Sequence, residues 1–302
     1  MALIIAIYCA LALFFIGSLI RILRILTMPV HLRWELYPVP HEPCARARYG
    51  GSYFEETDWW TRPRKRRFSG EVGVILQEVF LLKGVWRHNR ELWPWSWLLH
   101  FGLYSMIGAA VLTLAGALQN AAGVLPLRPN HPVALVLWAA MISGTIGATG
   151  IVAIRSASTK LRPFTSPWAW INLSVLLFVF TTGLLNLSVN PSSISEMILF
   201  SRALVAFRAA PGLHSLTAVH ASSLALFVAY FPFTHMTHMY MKYFTYHAIR
   251  WDDSPCRSNT RIHASIEHSL SRNVDWAAPH ILGEGKKSWS DVSSEGAIRG
   301  AK

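Results

Sequence analysis

Residues 213–241 read LHSLTAVHASSLALFVAYFPFTHMTHMYM, an apolar run that carries His220 and, eighteen residues later, His238. The run is long enough to cross a bilayer. Eighteen residues are five turns at 3.6 per turn, so a continuous helix presents both imidazoles from one face, about 27 Å apart along its axis. That rise nearly spans a hydrocarbon core. A polar side chain in lipid is expensive unless it meets a partner, so histidines at two depths on one face each require one.

With 52% hydrophobic residues and a mean hydropathy of +0.32 over 302 residues, the chain does not read as a soluble protein. Four further runs reach the length a bilayer needs: Met1 to Leu26, Trp93 to Leu118 behind a Trp-Pro-Trp-Ser-Trp belt, Pro132 to Ile154, and Trp168 to Val189. The expected fold is all-α, an integral membrane bundle of five transmembrane helices. Arg21 and Arg24 follow the first apolar run and no small-residue cleavage site closes it, so it reads as a retained helix rather than a signal peptide. Cys9, Cys44 and Cys256 are far apart. They provide neither a disulfide framework nor a ligand set, so any iron–sulfur cluster belongs to another subunit.

The net charge of +12 is distributed by side of the membrane. Residues 21–92 hold thirteen Lys and Arg, residues 155–167 hold three and the tail from Lys242 holds nine, against three in the two remaining connections. The excess places the long loop and the tail in the cytoplasm and the N-terminus outside. We therefore read the charge as topology and expect no nucleic-acid partner. Four regions follow: a first transmembrane helix (1–26), a cytoplasmic loop (27–92), a four-helix membrane region (93–243) and a cytoplasmic tail (244–302), rich in Ser, Asp, Arg and Gly and partly disordered. Within the loop, prolines at 29, 38, 40, 43 and 63 with Gly50 and Gly51 break up any long helix. Then Ser69 reads as the cap of a helix near Glu71, with Val72, Ile75, Leu76, Val79, Phe80 and Trp86 at the spacing of a membrane-surface helix. The cluster Arg62, Arg64, Lys65, Arg66 and Arg67 reads as a solvated anchor.

The second span enters from the cytoplasm and the fifth exits there, so His100 and His238 reach the same inner-leaflet depth. Two imidazoles at one level on different helices can ligate one haem from both faces. A six-coordinate iron leaves one-electron transfer as its chemistry. The plainer alternative is that each histidine makes a polar interhelical contact. His235, fifteen residues from His220, is rotated by roughly 60° from that face, which favours His238 as the ligand. His131 and His214 fall at the outer span ends, where solvated histidines are ordinary.

The stretch FPFTHMTH at 231–238, preceded by His220, resembles the last helix of the respiratory nitrate reductase gamma subunit, a dihaem cytochrome b that oxidises quinol. Leu-His-Phe-Gly at 99–102 is similar to that family's second-helix ligand motif. The resemblance implies haem b held by His100 and His238, quinone as substrate, and a place in the inner (cytoplasmic) membrane. The family's second helix bears another histidine ten residues on, where this chain has Ala110. One haem is thus expected, a second at His220 stays open, and quinone is expected in the space beside His220 opposite Ala110. The long insertion containing WELYPVPHE and YGGSYFEETDWW points to the branch paired with iron–sulfur proteins resembling the heterodisulfide reductase catalytic subunit. In that branch a cytoplasmic iron–sulfur partner would dock on Arg33 to Trp60. The alternatives are the nitrate reductase role itself, or a haem-free membrane anchor that handles protons.

Overall fold

Every residue from Trp93 to Leu118 and from Pro132 to Ala157 is helical, as the lack of interior proline and of any charge but Arg155 allows. The computed structural model describes residues 1–27, 38–63, 65–121, 130–209, 212–254, 258, 260–278, 281–282 and 285–299. Among the described residues, five helices are long and apolar enough to cross a membrane: Ala2–Thr27, Trp93–Leu118, Pro132–Ala157, Pro167–Val189 and Ser215–Phe233. The chain is thus an all-α, multi-pass membrane protein, and the four runs before the histidine stretch lie where the sequence puts them.

In chain order the helices are α1 (Ala2–Thr27), α2 (Cys44–Ala47), α3 (Phe68–Phe80), α4 (Lys83–His88), α5 (Trp93–Ala121), α6 (Asn130–Ala157), α7 (Pro167–Val189), α8 (Ser193–Val205), α9 (Ser215–Tyr230), α10 (His238–Thr245), α11 (Arg261–Leu270) and α12 (Trp289–Arg299). One antiparallel pair, β1 (Ala277–Ala278) and β2 (Ile281–Leu282), lies between the last two. The chain divides into two compact units, Met1–Ile20 with Gly73–Met239, and Arg21–Val72 with Tyr240–Lys302.

In the first unit α5 and α6 run antiparallel at backbone contact. A methyl group on Gly147 would lie 2.3 Å from the Leu99 amide nitrogen, and one on Gly102 would lie 2.6 Å from the Gly144 Cα. Small residues are the general means by which membrane helices approach this closely, because lipid provides no hydrophobic drive between helices. Phe180 of α7, fully buried, fills the groove over Gly144. The core continues through Leu137, Met141, Leu176 and Val179. α8, a helix in a connection that the sequence leaves as a loop, packs mainly on α5 and also touches α6, α7 and α9. Its Phe200 and Ala203 also bury Ile4 of α1.

The surface helix begins at Phe68, so Ser69 lies inside it rather than capping it. Its C-terminal carbonyls are held by the aromatic residues of α5. Tyr104 Oη donates to the Val79 carbonyl, Trp97 Nε1 to that of Phe80 and Trp93 Nε1 to that of Leu81. Two tryptophans of the belt therefore satisfy carbonyls at a helix end.

The histidine run is not one helix. α9 ends at Tyr230, two 3₁₀ turns follow at Phe231–Phe233 and His235–Thr237, and α10 begins at His238. Pro232 lacks the N–H that would bond back one turn, and its ring clashes with the carbonyl there. Thr234 completes the break in extended backbone, accepting from the Met236 amide and donating to the Phe231 carbonyl. The expected 27 Å same-face relation of His220 and His238 is thereby replaced, and the fifth apolar span ends at Phe233 rather than Met241.

The second unit is built on a buried polar knot. His41, 3% exposed, lies with Nδ1 2.8 Å from Glu71 Oε1 and Nε2 3.1 Å from Asp253 Oδ2. Asp253 also accepts from Tyr53 Oη at 2.7 Å and from Arg66 Nη2 at 2.5 Å. Glu42 accepts from Ser52 Oγ and from the amides of Val39 and Tyr53. The loop and the tail are thus parts of one body, and Arg66, though its side chain is 63% exposed as a solvated anchor would be, also pairs with the buried Asp253. Arg62 likewise pairs with Glu56, while Arg64 lies outside the described residues.

Candidate haem site

α5 brings His100 to a half-buried position one turn after Ser96, whose carbonyl lies 2.7 Å from His100 Nδ1. The turn after Pro232 brings His238 to the same place from the other side of the bundle, and its Nδ1 lies 2.9 Å from the His235 carbonyl. The two ring centroids are 6.1 Å apart, with 56° between planes. A carbonyl can only accept, so each Nδ1 carries the proton, and each ring offers Nε2 as its metal-ligating nitrogen. This is the outer-sphere arrangement that orients metal-bound imidazoles. The spacing also fits, since two imidazoles on opposite faces of one ion put their centroids roughly 6 Å apart, two metal–nitrogen bonds of about 2 Å plus the inner halves of two rings.

His235 is occupied otherwise. Its Nδ1 lies 2.9 Å from Asn172 Nδ2, and Tyr230 Oη donates to Asn172 Oδ1 at 2.8 Å. The tyrosine turns the amide so that its NH₂ faces the imidazole, which makes Nδ1 an acceptor and puts the ring proton on Nε2. A ring in that tautomer has no lone pair left for a metal. The structure therefore separates the two histidines by their hydrogen bonds, where the sequence separates them by rotation alone.

Between His100 and His238 lies a cleft of about 190 Å³ whose walls include Leu99, Leu103, Tyr104, Arg155, Asn172 and Met239. It is smaller than the 300–1,000 Å³ usual for ligand pockets. Its rim at His238 and Met239 is exposed, so the cleft opens on that side. Arg155 places a cation in the wall; Nη1 donates to Thr165 Oγ1 at 3.1 Å, while Nε is buried with no hydrogen-bond partner among the described residues. The site thus combines two neighbouring imidazoles, a largely apolar wall and one cation. No group of three or more His, Cys, Asp or Glu converges as a metal site among the described residues; a bis-imidazole haem needs only two histidines.

His220 is held apart from this cleft. It is 2% exposed on α9, with Nδ1 3.3 Å from Thr182 Oγ1. Its ring meets Gly183 so closely that a methyl group there would lie 2.7 Å from His220 Cε1 and 2.3 Å from Met141 Sδ. Ala110, by contrast, is exposed and lies past the level where Gly108 meets Val136, five residues along α6 from Met141. The expectation that His220 faces Ala110 does not hold, because α5 turns to α6 and α8 while α9 pairs with α7. The side chain of His131 lies outside the described residues.

Sequence reasoning missed Arg155, Asn172 and Tyr230. The available signal was an asparagine within an otherwise apolar span, since a lone amide in lipid requires a partner. The aromatic residues offered as a docking surface largely pack on one another: Tyr53 stacks on Phe54 at 4.6 Å, and Trp59 lies 4.3 Å from Phe54. Tyr49 and Trp60 remain exposed at 72% and 44%, and the start of that segment, 33–37, lies outside the described residues. No protein-family model, no curated protein and no solved structure matches this chain.

Proposed function

We propose that this chain is a haem b membrane subunit of a respiratory oxidoreductase, similar to the nitrate reductase gamma subunit. It exchanges electrons between membrane quinone and a cytoplasmic iron–sulfur partner, and resides in the inner (cytoplasmic) membrane with its N-terminus outside. The observation that carries this reading is the pair His100 and His238, each Nδ1 on a backbone carbonyl, with rings 6.1 Å apart. A haem held by two imidazoles supplies one-electron transfer and no open position for oxygen. In this reading His100 and His238 would hold the haem, Arg155 would offer a cation to an acidic substituent, Tyr104 and Leu103 would supply cleft wall, and the Ser96 and His235 carbonyls would set the basicity of the two imidazoles. The charge excess in the loop and tail supports the orientation, and the long insertion supports a soluble partner.

The deciding experiment is a reduced-minus-oxidised absorption spectrum of the purified chain with haem quantification. A b-type spectrum with one haem per chain supports the proposal. A second reading, a haem-free protein that handles protons, is favoured by the polar seam between α7 and α9, and a chain that binds no haem supports it instead.

A further inference from the structure

Two buried polar atoms between α7 and α9 take no part in the cleft. His220 Nε2 and Asn186 Nδ2 each lack a hydrogen-bond partner among the described residues, in side chains 2% and 0% exposed. Buried polar groups in folded proteins are nearly always satisfied, by protein or by ordered water. In a membrane helix pair the cost of leaving them bare is higher still.

These atoms belong to a series. On α7, Thr182, Asn186 and the capping residue Asn190 recur at every fourth residue; on α9, Thr217, His220 and Ser223 recur at every third. Both spacings keep one helix face, and the two faces meet. At one level Thr182 Oγ1 lies 3.3 Å from His220 Nδ1 and 3.2 Å from Ser223 Oγ. At the next, Thr217 Oγ1 donates to Asn186 Oδ1 at 3.0 Å. At the end of the bundle Asn190 Nδ2 donates to Thr217 Oγ1 at 3.1 Å and to Glu196 Oε2 at 3.3 Å, and the His214 amide donates to the same carboxylate. Burial pushes the Glu196 carboxyl up, but hydrogen bonds from Thr217, the His214 amide and Asn190, with the His214 charge, outweigh it and hold the group below its usual range. The seam thus begins on an ionised carboxylate and ends on an imidazole. The orphaned atoms lie on adjacent levels of the seam, His220 beside Thr182 and Asn186 beside Thr217, and a buried polar site with two unpaired groups is where ordered water is found.

We propose that ordered water joins His220 Nε2 to Asn186 Nδ2 and completes a path by which His220 exchanges protons with the Glu196 end of the bundle. Glu196, ionised at rest, first takes a proton from solvent; the carboxyl passes it to Thr217 Oγ1 as the Thr217 hydroxyl gives its own proton to the water, and the water gives one to His220 Nε2, which leaves carboxylate, hydroxyl and water as they began. The amides of Asn186 and Asn190 orient the chain and transfer nothing. The path is independent of haem at His100 and His238.

The test is hydrogen–deuterium exchange at histidine Cε1 in the purified full-length protein, read by peptide mass spectrometry. His220, though 2% exposed, should exchange measurably in D₂O. Thr217→Val and Asn186→Leu should each slow it roughly tenfold, the weight of one lost hydrogen bond, without changing His247 in the other unit. Thr217→Ser, which keeps the hydroxyl, should retain the wild-type rate. Full protection of His220 in the wild-type chain overturns the proposal without need of any variant. So do an unchanged rate in both Thr217→Val and Asn186→Leu, and two haems per chain with His220 protected. An absent haem spectrum with His220 exchanging as described would overturn the haem reading and leave the path standing.

Discussion

His100 and His238, 138 residues apart in sequence, lie with ring centroids 6.1 Å apart, and each imidazole holds a backbone carbonyl through Nδ1. The pairing depends on the break in the fifth span, since an unbroken helix would carry His238 onward along its axis, away from α5. Pro232 makes that break, and Thr234 and Thr237 stabilise the turn that follows by bonding to the Phe231 and Thr234 carbonyls.

Pro232→Ala should therefore lower haem content. Alanine restores the missing N–H and removes the ring clash, so the helix can continue through Phe233. The membrane bundle should still fold, which unchanged helicity by circular dichroism would check. Full haem occupancy in a well-folded Pro232→Ala protein would show that the turn does not place the ligand.

The contact between α5 and α6 leaves no room for side chains at its centre. Gly147→Leu must push α6 off the Leu99 backbone, one residue from His100, at a cost of about 1–3 kcal/mol for overpacking. Thermal unfolding should shift downward and haem retention should fall with it. Gly116→Ala is the control, because nothing lies within 4 Å of a methyl group there.

Much of this organisation could be read before the structure. The spans were legible because apolar length alone identifies a transmembrane helix, and the direction of the second and fifth runs brought His100 and His238 to one end of the bundle, although His238 lies past Phe233, where the fifth span ends. The break was not read although Pro232 was in view, since the eighteen-residue spacing of His220 and His238 satisfied helical periodicity so well. α8 was missed because thirteen residues interrupted by Ser193, Glu196, Ser201 and Arg202 are too short and too polar to register as a span. The Asn172–His235 bond and the His41–Asp253 bond join residues 63 and 212 positions apart, and no local pattern encodes such a pairing.

The knot of the second unit should behave as a single cooperative element. Asp253→Asn leaves His41, Arg66 and Tyr53 facing a neutral amide in a buried site, and breaking a buried ion pair costs about 3 kcal/mol. Limited proteolysis should then cut within 38–72 and 240–254 much faster than in the wild type. Equal protection of those segments in both proteins would mean that the knot contributes nothing to holding the unit together.

Asn172→Leu removes the amide that engages His235 Nδ1 and the acceptor for Tyr230 Oη. The loss of two hydrogen bonds should cost about 1–3 kcal/mol of stability. It should also make His235 a competitor for iron, visible as a second species in the low-temperature spectrum of the oxidised protein. A single unaltered species would show that the amide does not fix the choice between the histidines.

The most direct measurement is the haem content and reduced-minus-oxidised spectrum of the wild type beside His100→Ala, His238→Ala and His235→Ala. One b-type haem per wild-type chain, lost in His100→Ala and in His238→Ala and kept in His235→Ala, is the predicted result. No haem in the wild type, or loss in His235→Ala with retention in His238→Ala, would contradict it.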